Sequence, residues 1–270
     1  MARTFRNRIV GLVRFSYPAL NGFTKLPVNI ASLEAQLYDP ARLERRFHLF
    51  ENLTLPSLLA QTDGDFQTIF LIGESFPAVA RDRLQAAVAP LPGASIIALP
   101  TLFHYKATQR AFAMVRDDKA SHLTGFRLDD DDALDRGFIA RLRALVAALA
   151  PLRASVRPLV VGSNRGFFLK QSPGGNAVYD VIEKLPLGVG LAMTVAAGED
   201  DNIFHRNHRL VPQHYSIFSD ADTPAFIRSV HVDNDSEPTQ SGASHQLSEA
   251  EIEAAIAAHF PFSLAGLRAL

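Results

Sequence analysis

Cysteine is absent from all 270 residues. That excludes disulfides, thiolate metal sites and a cysteine nucleophile, and it agrees with a reducing compartment, so a cytoplasmic location is expected. Neither sign of charge is in excess: 27 Lys and Arg stand against 28 Asp and Glu, for a formal net charge of -1. So balanced a chain carries no global field to draw it to nucleic acid or to an anionic membrane, and its electrostatic work must be local. Long apolar runs are also missing. The first twenty residues are basic, but Arg14 interrupts their apolar stretch and no small-residue cleavage site follows, so no signal peptide is read. No segment is apolar for long enough to span a bilayer. Internal repeats and low-complexity linkers are lacking too. What the chain does have is 47% hydrophobic residues and 19 Phe, enough to bury a substantial core.

Short β-rich runs alternate with helical patterns, as parallel α/β sheets require. Strands are expected at Arg8–Ser16, Gln67–Gly73, Ala94–Pro100 and His122–Leu128, with helices at Pro40–Gln61, Pro77–Ala89, Tyr105–Asp118 and Arg136–Ala150. Pro56 should break or kink the first helix. The expected fold is a single Rossmann-like three-layer α/β domain with a mainly parallel sheet over residues 1–270. Residues 1–135 form its first half and 136–270 a more β-rich, irregular second half. His231–Gln246 has the composition of a mobile loop, and Ser248 and Glu251 have the spacing of a capping box that opens a final helix. That helix has an apolar face that allows peripheral contact with lipid, although docking onto the domain is its expected use.

Four consecutive carboxylates, Asp129–Asp132, follow directly on the fourth expected strand. Like charges so close repel unless a cation or a solvated loop accommodates them. In open α/β sheets ligands bind beyond the carboxyl ends of strands, which is where this run falls. Alternation along the backbone points Asp129 and Asp131 to one side and Asp130 and Asp132 elsewhere. Two carboxylates on one side suit a hard divalent ion, Mg²⁺ or Mn²⁺, that also takes water and phosphate oxygens. The competing reading is that the aspartates cap the helix expected near Arg136, but capping needs only one or two of them. His231, after a β-like run, is a further candidate ligand. His205 and His208 lack a zinc pattern and read as a solvated helix face. Arg14, Phe15 and Ser16 end the first strand, where a nucleotide would sit, and Arg110 could pair with a diphosphate through its planar fork.

The run "LDDDDAL" resembles the strand-end acidic signature of A-type-fold glycosyltransferases that use nucleotide-sugar donors. "TLPSLLAQTDGDFQTIFLIGES" is similar to the helix, Gln-Thr turn and second strand of family 2 glycosyltransferases, "ATQRAFAMV" lies where that family carries an Ala-Arg-Asn helix, and "GEDDNIFHR" resembles its Glu-Asp acceptor-side motif. The four occur in the family's order between Arg8 and Arg206, and the nearest likeness is to its rhamnosyltransferases. The resemblance implies a nucleotide-diphosphate sugar donor, a carbohydrate or glycolipid acceptor, Mn²⁺ or Mg²⁺, and inversion at the anomeric carbon. It implies Asp129 on the ribose or the metal, Asp131 as principal ligand and Asp132 orienting the sugar, with Asp130 and Glu74 among the donor-binding residues. Asp200 would be the general base, with Glu199 or Asp201 as alternates. A helix cap at Asn202 is the other reading of that acidic group. Clustered aspartates also serve metal-dependent phosphohydrolases and nucleotidyltransferases, and a structural Ca²⁺ site in a binding module, but none of these needs the Gln-Thr element or a second acidic motif.

Overall fold

The structure, a computed structural model, describes residues 5–21, 29–117, 119–152, 157–232, 234 and 241–270. Of the loop expected over His231–Gln246, residues 233 and 235–240 lie outside the described residues. The first part of the chain runs β1 (Asn7–Arg14), α1 (Ile30–Leu37), α2 (Pro40–Leu49), α3 (Leu55–Leu59), β2 (Gln67–Gly73), α4 (Ala78–Val88), β3 (Ala94–Leu99), α5 (His104–Met114), β4 (His122–Asp129), β5 (Ala133–Leu134) and α6 (Phe138–Leu149). The second part runs β6 (Leu159–Ser163), β7 (Arg165–Lys170), β8 (Ala177–Ile182), β9 (Ala192–Ala196), α7 (Val211–His214), β10 (Ser216–Asp220), β11 (Phe226–Val230), β12 (Ala243–Ser244), α8 (Glu249–His259) and α9 (Leu264–Ala269).

The strands of the first part fall where the apolar runs put them, because each is covered on both faces. In β1, Ile9 and Val13 enter one core while Val10 and Leu12 enter the other. Gly11 lies between them because a Cβ there would stand 2.3 Å from the Phe126 ring. The expected break near Pro56 takes a specific form. α2 and α3 are joined by a π-helical turn, Phe50–Thr54, so that Pro56 falls in the first turn of α3, where its missing N–H is not needed. The capping box of Ser248 and Glu251 opens α8 as expected. α1, eight residues capped by the Asn29 side chain, has no counterpart in the sequence reading.

The sheet is less parallel than expected. Seven strands lie in the order β10-β6-β9-β4-β1-β2-β3. β1 is parallel to β2 and β4, and β2 to β3. β9, however, is inserted antiparallel between β4 and β6. A second, mixed sheet of five strands, β12-β8-β7-β11-β5, packs its Phe167, Leu169 and Ile227 against Ile252, Ile256 and Phe260 of the C-terminal helical segment. The strands after α6 are short and several are closely connected, as in the β7–β8 hairpin, and such links cannot make the long crossovers a parallel pair requires. The two sheets meet at the acidic run. β4 ends at Asp129 in the first, and β5 begins at Ala133 and pairs with β11 of the second, so Asp129–Asp132 bridges them.

Candidate functional site

The bridging position sends the four carboxylates in different directions. Asp130 and Asp131 are buried and both accept from the guanidinium of Arg46 on α2. The bond from Arg46 Nη1 to Asp131 Oδ2 is 2.7 Å. The same Asp131 oxygen lies 2.8 Å from His231 Nε2 and 3.3 Å from Asn234 Nδ2, both just past the end of β11. Asp132, next to β11, accepts the Ser229 N–H at 2.9 Å. Asp129 lies 3.4 Å from Arg14 and 3.9 Å from Arg127. Burial opposes ionisation of Asp131, but Arg46 and then His231 outweigh it and hold its carboxyl well below the usual range. At Asp132 burial and the charges of Asp131 and Asp129 act together and push the carboxyl well above that range. Helix capping, the competing reading of this run, is not seen: α6 starts after Gly137 with no side-chain cap, and a fifth carboxylate, Asp135, accepts the Gly137 N–H at 2.9 Å and pairs with Arg141 at 2.5 Å just before it.

These aspartates line a cavity of about 420 Å³ at the carboxyl ends of β1 and β4, within the size range of small-ligand sites. Six arginines (14, 42, 46, 127, 206 and 228) share the lining with four aspartates, so the cavity is net cationic even with every carboxylate ionised. Three imidazoles complete it, His104, His205 and His208, and two of them are strongly perturbed. His104 is pushed down to about 2 by burial and then by Arg14 and Arg127, and His208 to about 3 by burial and then by Arg127 and Arg228. Both remain neutral, and the Nε2 atom of each is buried with no hydrogen-bond partner among the described residues. An unfolded chain would protonate both below the ordinary histidine value of about 6.5, whereas the fold refuses the proton until about 2 to 3. The stability they lend is therefore present above about pH 6.5 and is lost as the pH falls, by at most about 1.4 kcal/mol per pH unit per histidine. Urea unfolding at stepped pH should show a shallower acid loss for the His104→Gln, His208→Gln double variant than for wild type. Equal slopes would mean that the folded protein protonates these rings.

The remaining residues singled out in the sequence are dispersed. Arg14 and Ser16 line the cavity, and Ser16 takes a left-handed backbone (φ 50°) with its Oγ accepting from Arg42 at 3.0 Å. Phe15 points the other way, into the core against Phe47 and Phe50. Glu74 and Arg110 are exposed and do not line the cavity. Glu199 and Asp200 lie along the outside of α5. The Glu199 carbonyl and the Asp200 carboxylate both accept from Arg116, and the Asp200 side chain is 71% exposed. Arg116 lies two residues past the end of α5, the helix whose first turn holds the cavity-lining Tyr105, and the Asp200 carbonyl also accepts from Gln109 of that helix at 3.2 Å. Asp201 is the member of that acidic motif that contacts cavity residues, although it does not line the cavity itself. It accepts from Tyr105 at 3.0 Å, from Tyr215 at 2.9 Å and from His205 at 2.9 Å, and Tyr105 and His205 both line the cavity. No helix starts at Asn202; the segment is a turn, and His205 is a cavity residue rather than part of a solvated helix face. Arg42 and Arg46, missed in the sequence, carried a readable signal: four apart on one helix, they share a face.

A family model described as "Putative rhamnosyl transferase" matches residues 8–243. The chain belongs to this rhamnosyl transferase family. The match runs through β1, the acidic run, the cavity arginines and His231. No curated protein matches the sequence. Among solved structures, S. aureus TarS 1-349 in complex with UDP-GlcNAc is similar over 84% of this chain and 60% of that one, at 9% identity and a TM-score of 0.48. This member of the rhamnosyl transferase family thus spans about 60% of the length of that TarS chain. A "putative nucleotide-diphospho-sugar transferase" from Desulfovibrio desulfuricans G20 is similar over 84% of this chain and 83% of that one, at 8% identity and a TM-score of 0.40. No helix among the described residues is long and apolar enough to cross a membrane.

Proposed function

We propose that this enzyme moves rhamnose from a nucleoside-diphosphate donor to a hydroxyl of a carbohydrate or glycolipid acceptor, with inversion, and with Mn²⁺ or Mg²⁺ held at Asp131 and His231. One observation carries the reading: Asp131, in the wall of an arginine-lined cavity at the strand ends, meets His231 Nε2 behind that wall at 2.8 Å. One carboxylate and one imidazole fit an ion that keeps several waters and takes phosphate oxygens from its substrate. Among the described residues no group of three or more acidic or imidazole side chains could hold a metal, so the rest of the shell falls to phosphate and water. Asp129, expected as a second ligand, faces Arg14 and Arg127 and serves the donor instead. When bound, the ion supplies Lewis-acid stabilisation of the departing diphosphate. Arg127 and Arg228 flank the same space and orient the phosphates, while Asp132 orients the sugar. On the acceptor side, Asp201 replaces Asp200 as the carboxylate that assists proton removal, since its contacts open onto the cavity.

Thermal unfolding with uridine or thymidine diphosphate tests the donor half. At a nucleotide concentration about 100 times Kd the gain is about 2.7 kcal/mol, or roughly 5–10 °C for a chain of this size. That gain should need Mn²⁺ or Mg²⁺ and vanish in excess chelator. An equal shift in chelator would leave the diphosphate to the arginines alone. Inversion is checked on the anomeric configuration of the product.

A further inference from the structure

Asp201 is not among the residues lining the cavity; His205 is. We infer that His205 is the group that takes the acceptor's proton and that Asp201 acts through it as a positioning residue, an inference that rests on the sugar transfer proposed above. A carboxylate can only accept, so the 2.9 Å contact between His205 Nδ1 and Asp201 Oδ1 fixes the ring hydrogen on Nδ1 and leaves a lone pair on Nε2. Nε2 has no hydrogen-bond partner among the described residues. The ring is also held in plane. It stacks on Tyr105 with centroids 4.2 Å apart and an interplanar angle of 11°.

Asp201 is itself immobilised by donors: the hydroxyls of Tyr105 and Tyr215, the ring of His205, and the Asn202 N–H at 2.9 Å. Burial first, and then Asp201, push the phenol of Tyr105 above its ordinary range and that of Tyr215 up to about 12, so both keep their protons and continue to donate. The same carboxylate that fixes the tautomer stabilises the imidazolium formed when Nε2 is protonated.

In the step that follows, the acceptor O–H bond breaks and its proton passes to His205 Nε2. The oxygen's electron pair forms the new bond to the anomeric carbon. The bond from that carbon to the diphosphate oxygen breaks, and its pair leaves with the nucleoside diphosphate.

A nucleophile that needs no deprotonation separates this role from a structural one. Turnover of uridine or thymidine diphosphate rhamnose is measured with water and, separately, with azide as acceptor, alongside calorimetric binding of the nucleotide. His205→Gln should lower turnover with water by about 10²- to 10⁴-fold while glycosyl azide formation and nucleotide binding stay near wild type. Asp201→Asn should show the same split. If His205→Gln keeps its rate with water while Asp201→Asn loses it, Asp201 takes the proton itself and the inference falls. It falls too if the water and azide reactions of His205→Gln decline together, which would make the ring a support for the donor. A wild-type enzyme that turns over neither nucleotide sugar sinks the proposed function and this inference with it, so the two failures are told apart by the wild-type measurement alone.

Discussion

Asp131→Asn is expected to lower kcat/KM for sugar transfer by about 10³-fold or more, with little change in thermal stability. The size follows from what Asp131 is asked to do: Lewis-acid stabilisation of a leaving diphosphate is worth several kcal/mol, and each 1.36 kcal/mol is about tenfold in rate. Asparagine keeps the shape and one acceptor oxygen but removes the charge that would hold the ion beside His231. Folding favours the charged form of Asp131, so neutralising it has a cost, but two effects keep the loss of stability small. Arg46 loses one carboxylate but keeps Asp130, and the repulsion that Asp131 exerts on Asp129 and Asp132 is relieved. Donor binding and turnover should fall together, since the interaction is made in the donor complex as well as in the transition state. The expected signature in the thermal assay is an apo melting curve like wild type that no longer responds to nucleotide with Mn²⁺. A variant that binds nucleotide with undiminished metal dependence would remove Asp131 from the ion's shell, and one that melts well below wild type would make the residue structural.

The parts of this site visible in the sequence are those built from contiguous residues. The strand-end position of Asp129–Asp132 followed from the apolar run of His122–Leu128, and the family resemblance from motifs a few residues long. Chain-distant partners were legible only for His231, which was named beside Asp131 as a candidate ligand. Arg46 meets Asp130 across 84 positions and His231 meets Asp131 across 100, the latter brought together by the pairing of β5 with β11. The arginines illustrate the same limit: a chain with formal charge -1 hides a cationic cavity because its cations come from β1, α2, β4, β11 and a turn. The antiparallel β9 escaped because short apolar strands carry no mark of direction. Asp200 and Asp201 are adjacent and chemically identical, and what separates them is which one faces Tyr105 and His205 and which faces Arg116.

Arg46→Met should destabilise the protein more than any single change among the cavity aspartates. Its guanidinium is 6% exposed and lies against Asp130 and Asp131, which are 2% and 5% exposed. Removing one partner of a buried ion pair leaves a carboxylate without compensation and costs about 3–5 kcal/mol. For a chain of this length that is a fall of roughly 10 °C in melting temperature. Methionine fills a similar volume, so lost charge rather than a cavity is what the measurement reads. A second substitution then isolates the cause. Asp130→Asn in the Arg46→Met background should recover a large part of the loss, because the carboxylate stranded by the first change is no longer charged, whereas Asp130→Asn alone should be destabilising. That pattern would make Asp130 a tether fastening the acidic bridge to α2 rather than a direct contact of the donor. If Arg46→Met melts like wild type and loses only nucleotide affinity, the arginine belongs to the phosphates, and the bridge between the two sheets is held by the backbone pairing of β5 and β11 and by Ser229 N–H on Asp132.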